Sequence, residues 1–108
     1  SDVYKRQVLD HISLHYQENL TVSELSGLSN YSEYYFMKLF RQYTGKTLVE
    51  YINDFRIEKA KYLLTHSDAP VTEIAMQVGF NSTSYFIKKF QQSNKVSPHK
   101  YRKRMRQI

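Results

Sequence analysis

Lys38 and Arg41, and fifty residues further on Lys88 and Gln91, are the side chains best suited by type and spacing to reading a charged, hydrogen-bonding ligand. Each pair stands in a segment whose apolar residues recur at helical spacing. With ~100° per residue and Phe36 set at zero, Phe40, Leu39 and Tyr43 fall on its side as a buried stripe, while Tyr34, Met37, Lys38 and Arg41 face away. In the second segment Phe86 and Phe90 point inward, and Ser84, Ile87, Lys88 and Gln91 point out. Lys89 stands where Leu39 does, so that edge of the stripe meets solvent or the lysine stem snorkels. An ordinary surface helix mixes acids with bases, yet Glu33 is the only acid in either segment. Lys and Arg donate to guanine O6 and N7 or to phosphate, Gln pairs with adenine edges, and apolar tips touch the thymine methyl. Any one of these residues is as well explained by plain solvation; the two faces together point to recognition of a duplex.

Other chemistries find little support. His11 and His15 are four apart, but no carboxylate or third imidazole stands at matching spacing for a metal. Cysteine is absent, which removes disulfides, thiolate ligands and thiol nucleophiles. Gly27, Gly45 and Gly79 are too scattered to cradle a phosphate, and no G-x-S-x-G elbow occurs. No catalytic site, metal or cofactor is therefore expected. Tyr35, Tyr51, Tyr85 and Tyr101 recur at related positions, which suits packing better than base stacking.

The elements that must position the two faces read as helices throughout. A first helix spans roughly 3–17, with Val8, Leu9, Ile12 and Tyr16 on one side. Thr21-Val22-Ser23-Glu24 and Thr47-Leu48-Val49-Glu50 are capping-box patterns; they open a short helix to about Leu28 and a long one to about Thr65. Ser32 caps a helix that ends before Gly45, a residue suited to the left-handed closing turn. Ser67-Asp68-Ala69-Pro70 breaks the long helix. A short helix over 71–78, a turn at Gly79, a helix capped by Ser82 that ends near Ser93, and a last helix opened by Ser97-Pro98 complete the chain.

An internal repeat ties these elements together. Val22-Ser23-Glu24-Leu25-Ser26 aligns with Val71-Thr72-Glu73-Ile74-Ala75 at an offset of 49. From Ser32 and Ser82 onward the offset is 50, pairing Tyr35-Phe36-Met37-Lys38-Leu39-Phe40 with Tyr85-Phe86-Ile87-Lys88-Lys89-Phe90. The second turn is thus expected to be one residue longer. Each copy is a short helix, a turn and a second helix, the outline of a helix-turn-helix. The fold class is all-α: two helix-turn-helix subdomains, 1–46 and 66–108, joined by a linker helix over 47–65. That linker would be ~28 Å long, against the ~34 Å between successive major-groove faces of a duplex. Two reading helices in adjacent major-groove segments are the expectation, although the linker can equally serve only to hold two small cores together.

Charge is distributed in keeping with this. The chain of 108 residues carries a formal charge of +6, and residues 81–108 hold eight Lys or Arg and no acid. Such asymmetry suits a polyanion, nucleic acid or a membrane surface. No apolar run approaches the ~20 residues of a membrane span, and the polar opening Ser1-Asp2-Val3-Tyr4-Lys5-Arg6 is unlike a signal peptide. A cytoplasmic protein and no membrane partner are expected, and the missing initiator Met suggests a piece of a longer chain. The tail bases Lys100, Arg102, Lys103, Arg104 and Arg106 add nonspecific attraction to phosphate, or being terminal are disordered and contribute little.

Ile74-Ala75-Met76-Gln77-Val78-Gly79-Phe80, Ser84-Tyr85-Phe86-Ile87-Lys88-Lys89-Phe90 and Ser97-Pro98-His99-Lys100-Tyr101-Arg102 resemble the signature I-A-x-x-V-G-F, S-Y-F-x-(R/K)-x-F, (S/T)-P-x-x-Y-R of the AraC/XylS family of bacterial transcription regulators. The stretch from Arg56 to Leu64 is similar to the family's connecting helix, and the likeness covers about Val8 to Arg102. The resemblance implies a homeodomain-like arrangement of seven helices, with the third and sixth entering the major groove. It carries DNA contact onto Tyr34, Met37, Lys38, Thr83, Ser84 and Lys88. With the helix-opening serines and the outward faces, the candidate sets are Ser32, Tyr34, Met37, Lys38 and Arg41, then Ser82, Thr83, Ser84, Ile87, Lys88 and Gln91, with Lys100 and Arg102 as phosphate contacts. An upstream sensor or receiver domain outside this chain is also implied. Two departures stand out: Ser26 replaces a usual Ala and should still pack, and Lys95 replaces a usual Gly where a left-handed turn would be strained.

Sequence-specific duplex binding for transcription regulation is the leading expectation. The alternatives are a helical protein-interaction module, for RNA polymerase or an upstream domain, and a single-stranded nucleic-acid binder. The last normally needs exposed aromatics on a sheet or groove, and Tyr34 is the only obvious outward aromatic.

Overall fold

The computed structural model describes residues 2–107, with side chains from Tyr4 onward; Ser1 and Ile108, the outer ends of the two expected subdomains, lie outside the described residues. Within them the chain forms seven helices and no strand: α1 Asp2–His15, α2 Val22–Gly27, α3 Glu33–Thr44, α4 Leu48–His66, α5 Val71–Gln77, α6 Thr83–Asn94 and α7 Pro98–Arg106. The chain divides into two compact units, Ser1–Ile52 and Asn53–Ile108, the division falling inside α4.

The caps set the helix boundaries. Thr47 and Glu50 form a complete capping box at the start of α4: the Glu50 amide donates to Thr47 Oγ1 at 3.2 Å and the Thr47 amide to Glu50 Oε1 at 2.8 Å. The Thr47 amide, and after it the Thr47 hydroxyl, favour the carboxylate and hold the Glu50 carboxyl below its ordinary pKa. At α2, Thr21 accepts from the Glu24 amide at 3.1 Å, while Glu24 Oε1 turns to His11 Nε2 at 2.9 Å. Ser32, Ser82 and Ser97 each accept from the backbone amide three residues on. Pro98 occupies the first turn of α7, where a missing N–H costs nothing.

In the first unit Val8, Ile12, Leu25, Phe36, Phe40, Leu48 and Ile52 form the core, with Leu9, Leu20, Val22, Leu28 and Tyr51 packed against it. In the second, Ile57, Ala60, Leu64, Val71, Ile74, Ala75, Val78, Phe80, Phe86 and Phe90 are buried. The repeat is visible in the packing. Ring centroids of Phe36 and Phe40 are 5.9 Å apart and those of Phe40 and Tyr51 5.4 Å; their counterparts Phe86–Phe90 and Phe90–Tyr101 lie at 5.8 Å and 5.5 Å. Phe36 and Phe40 are tilted and the other three pairs meet edge to face; edge-to-face contacts add ~0.5–1.5 kcal/mol beyond area burial. The N-terminal turns of α4 therefore play in the first unit the part that α7 plays in the second.

One detail differs from expectation. Tyr43, placed in the buried stripe of α3, is 52% exposed, because it lies beyond Phe40 at the end of the helix, where the ring reaches Lys5 instead, with Nζ 4.4 Å from its centroid. The extra residue of the second copy falls in the turn, as expected: the left-handed residues Asn30 and Gly79 are still 49 apart, and one residue in the first copy but two in the second separate them from the N-caps Ser32 and Ser82. The basic tail is helical as far as Arg106. Ser26 packs as expected, buried, with its hydroxyl donating to the Ser23 carbonyl at 3.2 Å.

Candidate nucleic-acid interface

On α3, Phe36 and Phe40 are buried, and Tyr34, Met37, Lys38 and Arg41 are exposed on the other side, Tyr34 by 82%. On α6, Phe86 and Phe90 are wholly buried. Ser84, Lys88 and Gln91 are exposed there, and Thr83 and Ile87 are half-buried. Each unit thus gathers its own candidate residues on one helical face. Ser32 and Ser82 are exposed as well, but their hydroxyl oxygens serve the Tyr35 and Tyr85 amides at 3.2 Å. Lys89 is half-buried, with Nζ 5.4 Å from the Tyr85 ring centroid, so its stem runs along the core edge while the ammonium sits on an aromatic face.

Both reading helices close on a left-handed residue at equivalent positions, Gly45 with φ 77° and Lys95 with φ 65°. Lys95 adopts the conformation that its side chain disfavours, and its ammonium donates to the Gln92 carbonyl at 3.1 Å. In each case the preceding side chain also satisfies a carbonyl of the last turn: Thr44 Oγ1 donates to the Phe40 carbonyl at 2.8 Å and Asn94 Nδ2 to the Phe90 carbonyl at 3.2 Å.

Of the two expected phosphate contacts, Lys100 is exposed at the start of α7, whereas Arg102 is occupied. Arg102 Nε donates to the Leu64 carbonyl at 3.0 Å, and its Nη2 to those of Ser67 and Ala69 at 3.1 Å and 2.7 Å. Arg106, one turn on, reaches the Thr65 and Ser67 carbonyls and Asp68 Oδ1, the last at 2.7 Å. α4 ends without a glycine cap, and the two guanidinium groups supply the donors that its last carbonyls and the following loop need. The Asp68 carboxyl is held below its ordinary pKa chiefly by the Arg106 hydrogen bond. A signal existed in the sequence: two arginines four apart, after a helix that stops at Ser67-Asp68-Ala69-Pro70 with no Gly.

A second feature escaped the sequence reading. Asn53 is buried on α4, and its Nδ2 donates to Tyr85 Oη at 2.9 Å. Tyr85, taken as a packing residue, is 40% exposed. Close by, the Arg56 guanidinium lies 5.8 Å from the Phe80 ring centroid, and burial lowers its pKa from the ordinary value. His11 and His15 stack with centroids 4.4 Å apart and bond to Glu24 and Glu18. Among the described residues no cluster of three or more His, Cys, Asp or Glu is placed to hold a metal, and no helix is long and apolar enough to cross a membrane.

The helix-turn-helix domain family matches residues 25–104. The chain belongs to the AraC/XylS family of bacterial transcription regulators. The regulator YdeC of Bacillus subtilis, of helix-turn-helix type, is 42% identical over 98 residues, 91% of this chain and 34% of its own length. The regulatory protein PocR of Salmonella typhimurium is 36% identical over 104 residues, 96% of this chain and again 34% of its own. The chain therefore spans about a third of the length of these relatives. Among solved structures, the C-terminal domain of the two-component response regulator yesN from Fusobacterium nucleatum is 34% identical with a TM-score of 0.86, covering 94% of this chain and 99% of that one. The DNA-binding domain of AdpA, solved with a target DNA, is 28% identical with a TM-score of 0.89, over 94% of this chain and 92% of that one.

Proposed function

We propose that this AraC/XylS domain binds double-stranded DNA sequence-specifically to regulate transcription, with α3 and α6 entering adjacent major-groove segments. The observation that carries the reading is the duplicated outward face, Tyr34, Met37, Lys38 and Arg41 on one helix and Ser84, Ile87, Lys88 and Gln91 on the other, with Glu33 the only acid in either helix. Lys38, Arg41, Lys88 and Gln91 supply donors for base edges or phosphates; Met37 and Ile87 supply apolar tips for thymine methyls. Ser32 and Ser82 act mainly as caps that fix where each helix begins, with Thr83 beside the second. Residues 1–46 and 66–108 are the two reading subdomains and 47–65 the linker, and Lys100 adds attraction to phosphate. An upstream sensor or receiver domain completes the protein, which acts in the bacterial cytoplasm.

Selection from random duplexes tests this directly. The expected product is two short blocks about one helical turn, ~10 bp, apart; one continuous block would overturn two-helix docking. A competing reading, a helical protein-interaction module that contacts RNA polymerase, draws on an open apolar groove of about 210 Å³ between α1 and α3, ringed by Tyr4, Tyr31, Tyr35 and Tyr43. That reading predicts that no duplex is selected.

A further inference from the structure

We infer that Tyr85 is a phosphate-contacting residue of the second reading helix and that Asn53 is the positioning residue that turns its hydroxyl outward. The inference rests on the duplex-binding reading and adds to it a contact and its support. An amide Nδ2–H can only donate, so the 2.9 Å bond from Asn53 occupies an acceptor site on Tyr85 Oη and leaves the phenolic proton to be given elsewhere. Asn53 is buried, whereas Tyr85 is 40% exposed, so that proton is given on the solvent side.

Position on the helix fits the role. One residue on from Ser84 is ~100° around the helix, which moves Tyr85 off the centre of the reading face to the flank it shares with Lys88 and Lys89. In a major groove the centre of a reading helix meets base edges and its flanks meet the phosphate walls. Tyrosine hydroxyls are among the groups that make such backbone contacts. The Lys89 ammonium, 5.4 Å from the centre of the Tyr85 ring, adds positive charge at the same flank. The Phe80 ring lies 6.1 Å from that of Tyr85 and is itself buried, so the phenol is held at its base as well as at its tip. The counterpart in the first unit, Tyr35, instead packs on Tyr31 at 5.1 Å.

A neutral donor to phosphate has a distinctive signature. It displaces no counterion, so losing it weakens binding without changing the salt slope, and because phosphates carry no sequence the loss is equal on all duplexes. Tyr85→Phe is therefore expected to bind specific and nonspecific duplexes ~10-fold more weakly, with an unchanged slope of log affinity against log salt. Asn53→Ala should weaken binding in the parent chain and add nothing in the Tyr85→Phe background, whereas a merely structural role would act equally in both. Thermal melts of each variant, followed by circular dichroism, confirm that binding is measured on folded protein. Equal affinity of Tyr85→Phe and the parent, a loss confined to the specific duplex, or an Asn53→Ala effect undiminished without the Tyr85 hydroxyl would overturn the inference. If the parent chain binds no duplex at all, the duplex-binding reading fails and the inference with it.

Discussion

The two units repeat one plan, yet the second holds its reading helix more firmly than the first. After the short helix of each copy, the chain turns through a residue with positive φ, Asn30 at 62° and Gly79 at 109°. The next residue is Tyr31, 36% exposed, in the first unit and Phe80, 3% exposed, in the second. Phe80 packs 5.2 Å from Phe86 and helps close the core over α6. Tyr31 lies instead on the rim of the open groove beside α3. α6 gains a further tie through Asn53 and Tyr85. The two copies therefore keep the same Phe–Phe–Tyr packing while the support around it differs: α6 is covered by Phe80, and α3 borders an open groove.

Large-to-small changes in the two cores probe that difference most strongly. Phe86→Ala should cost ~3–5 kcal/mol, near the top of the range because the ring is wholly buried between Phe80 and Phe90. Phe36→Ala, beside a groove that can collapse or admit water, should fall at or below the bottom of it. Denaturant midpoints of the two variants give the comparison, and equal losses would remove the distinction between the units.

On DNA, Lys88→Ala should weaken specific binding by ~1–3 kcal/mol and relax preference at one position. Lys38→Ala, on the less firmly held helix, should lose less. Titrations against a panel of single-base variants decide this, and uniform weakening with a smaller salt slope would make Lys88 a phosphate contact instead.

The caps allow a reciprocal exchange. Lys95→Gly should raise the unfolding free energy by ~1 kcal/mol by relieving left-handed strain, and Gly45→Ala should lower it by a similar amount. No atom lies within 4 Å of where a Cβ on Gly45 would sit, so its cost is conformational alone. Thermal melts read both changes.

The smallest effect is electrostatic. Asp68 has a folded pKa below its ordinary 3.8 because Arg106 favours the carboxylate. A lowered folded value means that the pair's stabilisation is fully present above the unfolded pKa and is lost as pH falls through the folded one. Acid unfolding of Asp68→Asn should therefore lack a small component, seen below about pH 4 in the parent chain. A parent and variant with superimposable acid transitions would show that the ion pair contributes nothing.

Helix boundaries, caps and the two outward faces were legible in the sequence because each depends on residues three or four apart. Ser32, Thr47, Ser82 and Ser97 cap where their spacing to the first apolar residues requires, and Phe36, Phe40, Phe86 and Phe90 point inward by period alone. Tertiary structure decided what depends on contacts between distant segments. Arg102 was legible only as a positive charge until the end of α4, more than thirty residues earlier in the chain, came within hydrogen-bond reach. Tyr85 read as packing until Asn53, thirty-two residues away, took hold of its hydroxyl. Local periodicity fixes which way a side chain leaves its own helix, but the partner it meets there is set by how the helices pack.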